Sequence, residues 1–244
     1  MIFVDIGNTT VHFSIQKNGR EVKNFRIPTY KINRKRLKGI LERFSSSKII
    51  ICSVVPNLTK LFKKVGKTKE VIVIEEDVKV PISSLYNPKE VGSDRLLCAF
   101  AAKKIFSRAK LVIDFGTAIT FDFISSKGEY LGGFIFPGIE SAYKSLSECA
   151  LLGKRVKVDL KVLKRKIPKT TSQSINKGII EGFALLINSW VEKYRRWIAK
   201  SGRLSKDNII ITGGGAKFLL KKLNFPYIYE PHLIFKGMRI LFPL

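Results

Sequence analysis

Acids are few in this chain: 19 Asp and Glu stand against 45 Lys and Arg, a formal charge of +26 over 244 residues. Each carboxylate inside an apolar run therefore needs a reason. Histidine is scarcer still, with only His12 and His232, and the three cysteines, Cys52, Cys98 and Cys149, show no CxxC spacing. That excludes a structural zinc site of the usual ligand spacing. An odd set of isolated thiols is also no disulfide framework and fits small buried residues in a reducing compartment. No uninterrupted apolar run reaches the roughly 18 residues that would span a bilayer. The turn at Asp5 comes too early to belong to a discarded leader. The expectation is a soluble, cytoplasmic protein without a membrane partner. With 45% hydrophobic residues, the chain can bury real cores in two small domains or one large one.

The positive charge attracts any polyanion, but the bases are spread over the whole sequence. The one dense segment, Lys154 to Lys169 (KRVKVDLKVLKRKIPK), carries eight bases and one acid. It lacks the interleaved aromatics of a base-stacking platform, so it reads as a solvated face, and no specific nucleic-acid partner is expected. Lys-rich surfaces are also common in thermophiles. Gly66-Lys67-Thr68 resembles the end of a P-loop, but the glycine required five positions earlier is Leu61.

What the sequence does contain is a repeated device. Met1 to Gln16 (MIFVDIGNTTVHFSIQ) places Asp5 and a small, hydroxyl-rich turn between two strand-forming runs. Val11, Phe13 and Ile15 alternate with His12, Ser14 and Gln16, the period of a half-buried strand. Gly7, Asn8, Thr9 and Thr10 are ordinary turn residues, and they are equally a source of free N–H groups and hydroxyls for a phosphate. The echo is Leu111 to Phe123 (LVIDFGTAITFDF), again strand, Asp114, Gly116, Thr117, strand. A third glycine turn, Thr212 to Ala216 (TGGGA), follows the apolar run Ile209 to Ile211. This pattern resembles the actin, hexokinase and heat-shock ATPase superfamily, whose two duplicated domains close over ATP.

Between these devices the spacing predicts a third strand over 21–27 after an Asn18-Gly19 turn, helices over 32–44 and 56–65, and strands over 48–54 and 71–74. Gly92-Ser93-Asp94-Arg95 then opens an apolar helix to Phe106, with Ser93 or Asp94 as its N-cap. A cap leaves unexplained an adjacent Asp–Arg pair at a helix N-terminus, where dipole and guanidinium both favour an anion. Strands are expected over 111–114, 118–124 and 130–136, then a helix from Pro137-Gly138 to about Leu152. Thr170 and Gln173 form a capping box for the longest helix, ended by Gly202, with an aromatic stripe through Trp190 and Trp197 that is core or dimer surface. A strand over 208–212, a helix to about Leu223 and a closing helix over 232–241 complete the chain.

Asp5, Asp114 and Asp122 stand among large apolar residues, where an ionised carboxylate is costly unless paired. Asp122, which no Gly-Thr turn follows, reads as hydrogen-bonded to its neighbours. Asp5 and Asp114 suit charges facing a nucleotide-bound cation. Asp94 suits a general base that takes a proton from a hydroxyl attacking the terminal phosphate of ATP.

With these residues placed, the chain is similar to the type III pantothenate kinases nearly end to end. The resemblance rests on DIGNT (Asp5 to Thr9), YNPxxVGSDR (Tyr86 to Arg95), DFGTAITFD (Asp114 to Asp122), GGFIFPGI (Gly132 to Ile139), TSQSINKG (Thr171 to Gly178) and TGGGA. It implies an α/β fold of two duplicated ribonuclease-H-like, actin-like ATPase domains with mixed sheets flanked by helices, divided as 1–110 and 111–244. It implies phosphorylation of pantothenate by ATP in the first committed step of coenzyme A synthesis. By the same resemblance Asp5, Ile6, Gly7, Asn8, Thr9, Thr10, Val11 and His12 form the first nucleotide turn, with Asp5 near Mg²⁺ and Thr117 touching phosphate. Asp114 holds a monovalent cation, K⁺ or NH₄⁺, and Asp94 accepts the proton. Tyr86, Gly92, Ser93, Asp94, Arg95 and Thr171 line the pantothenate site, and the Thr171 helix helps form a homodimer. Thr170 departs from the family's usual Asn, and Leu151-Leu152 from its Leu-Pro. The alternatives are a kinase of the same superfamily with another small acceptor, and a non-catalytic accessory regulator of transcription.

Overall fold

The alternation in Met1 to Lys17 builds the first sheet. A computed structural model describes residues 1–44, 46–87, 90–149, 152–153 and 166–243; Pro88, Leu151 and the basic stretch 154–165 lie outside the described residues. Strands β1 (Ile2–Ile6), β2 (Thr10–Lys17), β3 (Arg20–Pro28), β4 (Lys48–Ser53) and β5 (Glu70–Val73) lie in the order β3-β2-β1-β4-β5. β1, β2 and β3 form an antiparallel meander, whereas β4 and β5 add in parallel. Parallel addition needs crossovers, which are α1 (Arg34–Arg43) and α2 (Pro56–Val65). Asn33 caps α1 through a 2.9 Å bond from the Arg36 N–H. Pro56 opens α2 where its missing N–H costs nothing. Ile2, Val4 and Ile6 share one face with Ile49, Ile51 and Val73, and bury it against Leu37, Leu41 and Phe62.

The second sheet repeats the plan. β6 (Leu111–Phe115), β7 (Ala118–Ile124), β8 (Tyr130–Pro137), β9 (Ile209–Thr212) and β10 (Ile228–Tyr229) lie in the order β10-β9-β6-β7-β8. β6 and β7 are an antiparallel hairpin, and β9 and β10 add in parallel. Asp5 and Asp114 are both the fourth residue of a five-residue central strand. The fold is thus a duplicated α/β architecture of two mixed five-stranded sheets, as the sequence implied.

The chain divides into two compact units, one of Met1–Ile105, Ile124–Gly132 and His232–Leu244, the other of Phe106–Phe123 and Gly133–Pro231. In the first, α3 (Ser93–Ile105) is buried nearly all round from Arg95 to Ala102 and packs on β4 and α7 (Leu233–Leu241). In the second, α4 (Ile139–Ser147) packs on α5 (Thr171–Lys193), where the Tyr143 hydroxyl donates to Asn176 Oδ1 at 2.8 Å.

Several local expectations change. α4 stops at Ser147, short of Leu152, because 3₁₀-type bonds such as Cys149 N–H to Leu146 O close its last turn. α5 ends at Lys193 and a single turn, α6 (Arg195–Ile198), follows; Tyr194, stacked on Trp190 and tilted against Phe134, breaks the helix well before Gly202. Residues 214–222 form two 3₁₀ turns in place of a helix, since three consecutive glycines are poor helix formers and the bonds run from i to i−3. The capping box at Thr170 is half formed: its side chain accepts the Gln173 N–H, while Gln173 Oε1 accepts from Lys169.

The largest difference concerns β2, which is buried on both faces: His12, Ser14 and Gln16 are at most 5% exposed. They satisfy one another and the next strand. His12 Nε2–H donates to Asn24 Oδ1, Arg26 Nε donates to His12 Nδ1 at 3.3 Å, Ser14 Oγ donates to Glu21, and Gln16 Nε2 donates to Ser14 Oγ at 2.7 Å. The ring of Phe235 on α7 meets His12 edge-on at 4.6 Å. Among the described residues, no helix is long and apolar enough to cross a membrane.

Candidate active site

In the first unit, the C-terminal end of β1, its neighbour on β4 and the first turn of α3 bring four polar groups together. Asp5 pairs in register with Cys52 on β4, and Cys52 Sγ donates to Ser93 Oγ at 3.4 Å. Ser93 Oγ in turn donates to the Ser53 carbonyl at 3.2 Å. Neither Ser93 nor Asp94 is the N-cap. Both lie inside α3, and the carbonyl of Gly92 accepts the N–H groups of Arg95 and Leu96. Asp94 Oδ1 accepts the Arg95 N–H at 2.9 Å, leaving the carboxylate in the positive field of the helix start.

Two carboxylates so placed repel each other. Burial first, and the charge of Asp94 second, push Asp5 up to about 7 against the opposing pull of Arg26. Burial together with both carboxylates pushes the Cys52 thiol well up, so it is a neutral, inert packing group. A cation at this end would relieve the repulsion, and two carboxylates are oxygen donors of the kind a hard divalent cation takes. Among the described residues, no three His, Cys, Asp or Glu side chains form a metal cage.

Next to this cluster stands a cationic slot. The buried guanidinium of Arg95 lies 5.9 Å from the ring centre of Tyr86 and 5.7 Å from that of Tyr130, which meet edge-on at 6.2 Å. Tyr86 packs against Gly132, where a Cβ would stand 2.8 Å from the ring. A fixed, planar cation between aromatic faces is suited to a carboxylate. Tyr130 is a site residue that the sequence motifs do not single out; its one local signal is an aromatic two positions before the Gly132-Gly133 pair.

The first turn itself is held from behind. Gly7 N–H donates to the Thr10 carbonyl at 3.0 Å and Thr29 Oγ1 donates to the Gly7 carbonyl at 2.7 Å, while Asn8, Thr9 and Thr10 stay exposed. Ile6 and Val11 are core residues, so only their backbone can serve a nucleotide. Both ring nitrogens of His12 are engaged as described. Burial, ahead of all other causes, holds this imidazole down to about 4 from an ordinary 6.5. The unfolded chain therefore binds the extra proton more readily, and stability is lost as pH falls from about 6.5 towards 4. His12→Asn is expected to flatten that acid limb in urea unfolding between about pH 7 and about pH 5. A variant with the parent's slope would assign acid sensitivity to other groups.

The second unit repeats the turn one residue shorter. Gly116 N–H donates to the Ala118 carbonyl at 3.0 Å, and the Thr117 carbonyl accepts from Gly138 N–H at 2.9 Å and from Ser141 Oγ at 2.7 Å. Asp114 is paired in register with Thr212 at the end of β9, so the glycine turn that follows comes up against its carboxylate. A Cβ on Gly213 would stand 2.3 Å from Asp114 Oδ1. Asp114 and the TGGGA turn thus form one cluster, and Thr117 lies in the turn that follows β6. Thr171 belongs to the same unit as the first residue of α5. Asp122 is buried and accepts from Thr120 Oγ1 at 2.6 Å, the neighbour bond that its sequence context suggested.

Two mixed sheets with an aspartate near the end of each central strand define an actin-like ATPase fold. MreB5 of Spiroplasma citri bound to ADP, 14% identical, superposes with a TM-score of 0.55 over 99% of this chain and 95% of that one. Within that class, the model of the type III pantothenate kinase family matches residues 1–193. A type III pantothenate kinase of Persephonella marina is 35% identical over 96% of this chain and 95% of its own length. The chain belongs to the type III pantothenate kinase family. A solved Campylobacter jejuni structure, provisionally assigned to the Baf family of transcriptional activators, is 26% identical with a TM-score of 0.62, covering 99% of this chain and 96% of that one.

Proposed function

We infer that the protein transfers the terminal phosphate of ATP to pantothenate, giving 4'-phosphopantothenate and opening coenzyme A synthesis. The observation that carries this reading is the convergence of Asp5 and Asp94 beside Arg95 in its slot of Tyr86 and Tyr130. Pantothenate is a carboxylate with a terminal hydroxyl. Arg95, with Tyr86, Gly92, Ser93 and Thr171, holds the carboxylate end and orients the chain. Asp94 accepts the hydroxyl proton as the oxygen attacks phosphorus in line. The N–H groups of the Gly7 to Thr10 turn and Thr117 hold phosphate oxygens. Asp5 is assigned to the Mg²⁺ that accompanies ATP and offsets its charge, and Asp114 to a monovalent cation, K⁺ or NH₄⁺. A homodimer built partly on α5, a division of the chain near residue 110 and a cytoplasmic location complete the proposal.

The test is formation of 4'-phosphopantothenate by the purified chain, run beside a panel of other small hydroxy acids. Chelating divalent cations is expected to stop turnover, and replacing K⁺ by Na⁺ to slow it. Turnover confined to another acceptor would overturn the substrate assignment. Retention on DNA is expected to be weak and steeply salt-dependent, because +26 alone attracts a polyanion. Tight, sequence-selective retention at physiological salt would favour a regulator.

A further inference from the structure

The outer face formed by β3 and α1 carries a cavity of about 440 Å³, a volume typical of small-molecule sites. It belongs wholly to the first unit, and none of the residues assigned above to catalysis or nucleotide binding lines it. Its floor is apolar: Phe25, Ile40 and Phe44, all half-buried and packed on the core beneath. Phe25 stacks on Phe13 at 4.9 Å and 8°, and on Phe44 at 6.2 Å, so the floor is a fixed aromatic surface. Its rim is cationic. Lys23, Arg36 and Arg43 border the opening, and among the described residues that line it there is no acid. The Lys23 ammonium lies 6.0 Å from the centre of the Phe25 ring.

A second observation comes from Gly39, in the middle of α1 and on the cavity wall. Glycine in a helix interior costs about 0.5–1 kcal/mol relative to alanine. Close packing does not require it here, since a Cβ at Gly39 would meet nothing within 4 Å. What the missing side chain does is keep the cavity open, in a helix that otherwise carries a full set of large residues.

We propose that this cavity binds a small organic anion with an aromatic or aliphatic body, separately from the catalytic centre. The apolar body lies on Phe25, Ile40 and Phe44, and the negative head is held by Arg36, Arg43 and Lys23. An aromatic floor alone would take a neutral apolar compound, and a cationic rim alone would take inorganic phosphate. The two together, without a carboxylate to compete, select a molecule carrying both features.

The test uses the full chain and two probes: anionic anilinonaphthalene sulfonate and its uncharged relative phenylnaphthylamine, both titrated by fluorescence. Saturable one-to-one binding of the sulfonate is expected, weakened by added salt. Gly39→Leu fills the cavity with a good helix former and is expected to weaken the sulfonate by about tenfold or more while leaving pantothenate phosphorylation at the parent rate. The double change Arg36→Gln with Arg43→Gln, on exposed side chains, is expected to weaken the sulfonate by about tenfold and the uncharged probe hardly at all. Equal sulfonate binding by the parent and Gly39→Leu, or none below millimolar in the parent, would overturn the site. Binding of both probes that ignores the two arginines would overturn the anionic class. Because phosphorylation is read separately, a silent kinase with an intact dye site, or the reverse, tells which of the two assignments has failed.

Discussion

Asp94→Asn is expected to lower the turnover of pantothenate by about a hundred- to ten-thousand-fold, the range over which a positioned general base contributes. The change is nearly isosteric and keeps an oxygen that can accept the Arg95 N–H. It removes the charge and the proton-accepting capacity. The competing explanation, a helix-capping role, makes a different prediction: loss of a cap costs about 1 kcal/mol of stability and leaves the chemistry alone. In the structure Asp94 stands inside the first turn of α3, where its Oδ1 accepts the Arg95 N–H, and the Gly92 carbonyl is the first helical acceptor.

The charge removed also repels Asp5, so the variant should fold at least as well as the parent near neutral pH. Asp5 should then titrate below the value of about 7 to which burial and Asp94 now raise it. The decisive measurement is therefore paired: thermal unfolding, and single-turnover phosphorylation with saturating ATP and pantothenate. A large loss of rate with an unchanged or raised unfolding temperature assigns Asp94 to proton transfer. A lowered unfolding temperature with near-normal turnover would reduce it to a structural residue.

What was legible in the sequence follows from how local each signal is. The two Asp-x-Gly hairpins, with Thr9 two residues after the first glycine and Thr117 directly after the second, are local devices, in which alternation sets the strands and the turn residues set the reversal. Their positions could be read to within a residue or so, and the duplication with them. Pro56 marked a helix start for an equally local reason, whereas the helix read from residue 32 begins at Arg34, behind its Asn33 cap. The polar face of β2 misled because alternation shows which residues share a face and leaves open what covers it. α7, more than two hundred residues away, supplies the cover, and His12, Asn24, Arg26 and Glu21 pair so that the burial is tolerable. Tyr130 was missed for the same reason: its role depends on Arg95 and Tyr86, which the chain brings to it through a bridge between Ser84 and Tyr130. The three-glycine turn was placed correctly, but its continuation was misread as a helix because the apolar residues after it are spaced for burial and the bonds are 3₁₀.

That turn carries the second large effect. Gly213 has φ +85° and ψ 153°, a region nearly closed to other residues. An alanine Cβ there would stand 2.3 Å from Asp114 Oδ1 and 2.6 Å from the Phe115 backbone nitrogen and carbonyl carbon. Strain of about 1–3 kcal/mol at the dihedral adds to about 1–3 kcal/mol for forcing atoms into filled space. Gly213→Ala should therefore unfold about 4–24 °C below the parent. Gly39→Ala, in open space inside a helix, should unfold at or slightly above it. The same collision bears on function, since the atom in the way is the carboxylate assigned to the monovalent cation. If that assignment holds, folded Gly213→Ala should need more K⁺ for half-maximal activity while its KM for pantothenate stays near the parent's. A variant that is destabilised but keeps the parent's K⁺ dependence would leave the turn as a structural wall and move the cation site away from Asp114. A variant that unfolds with the parent would mean that the TGGGA turn yields, and that its contact with Asp114 is not what fixes the carboxylate.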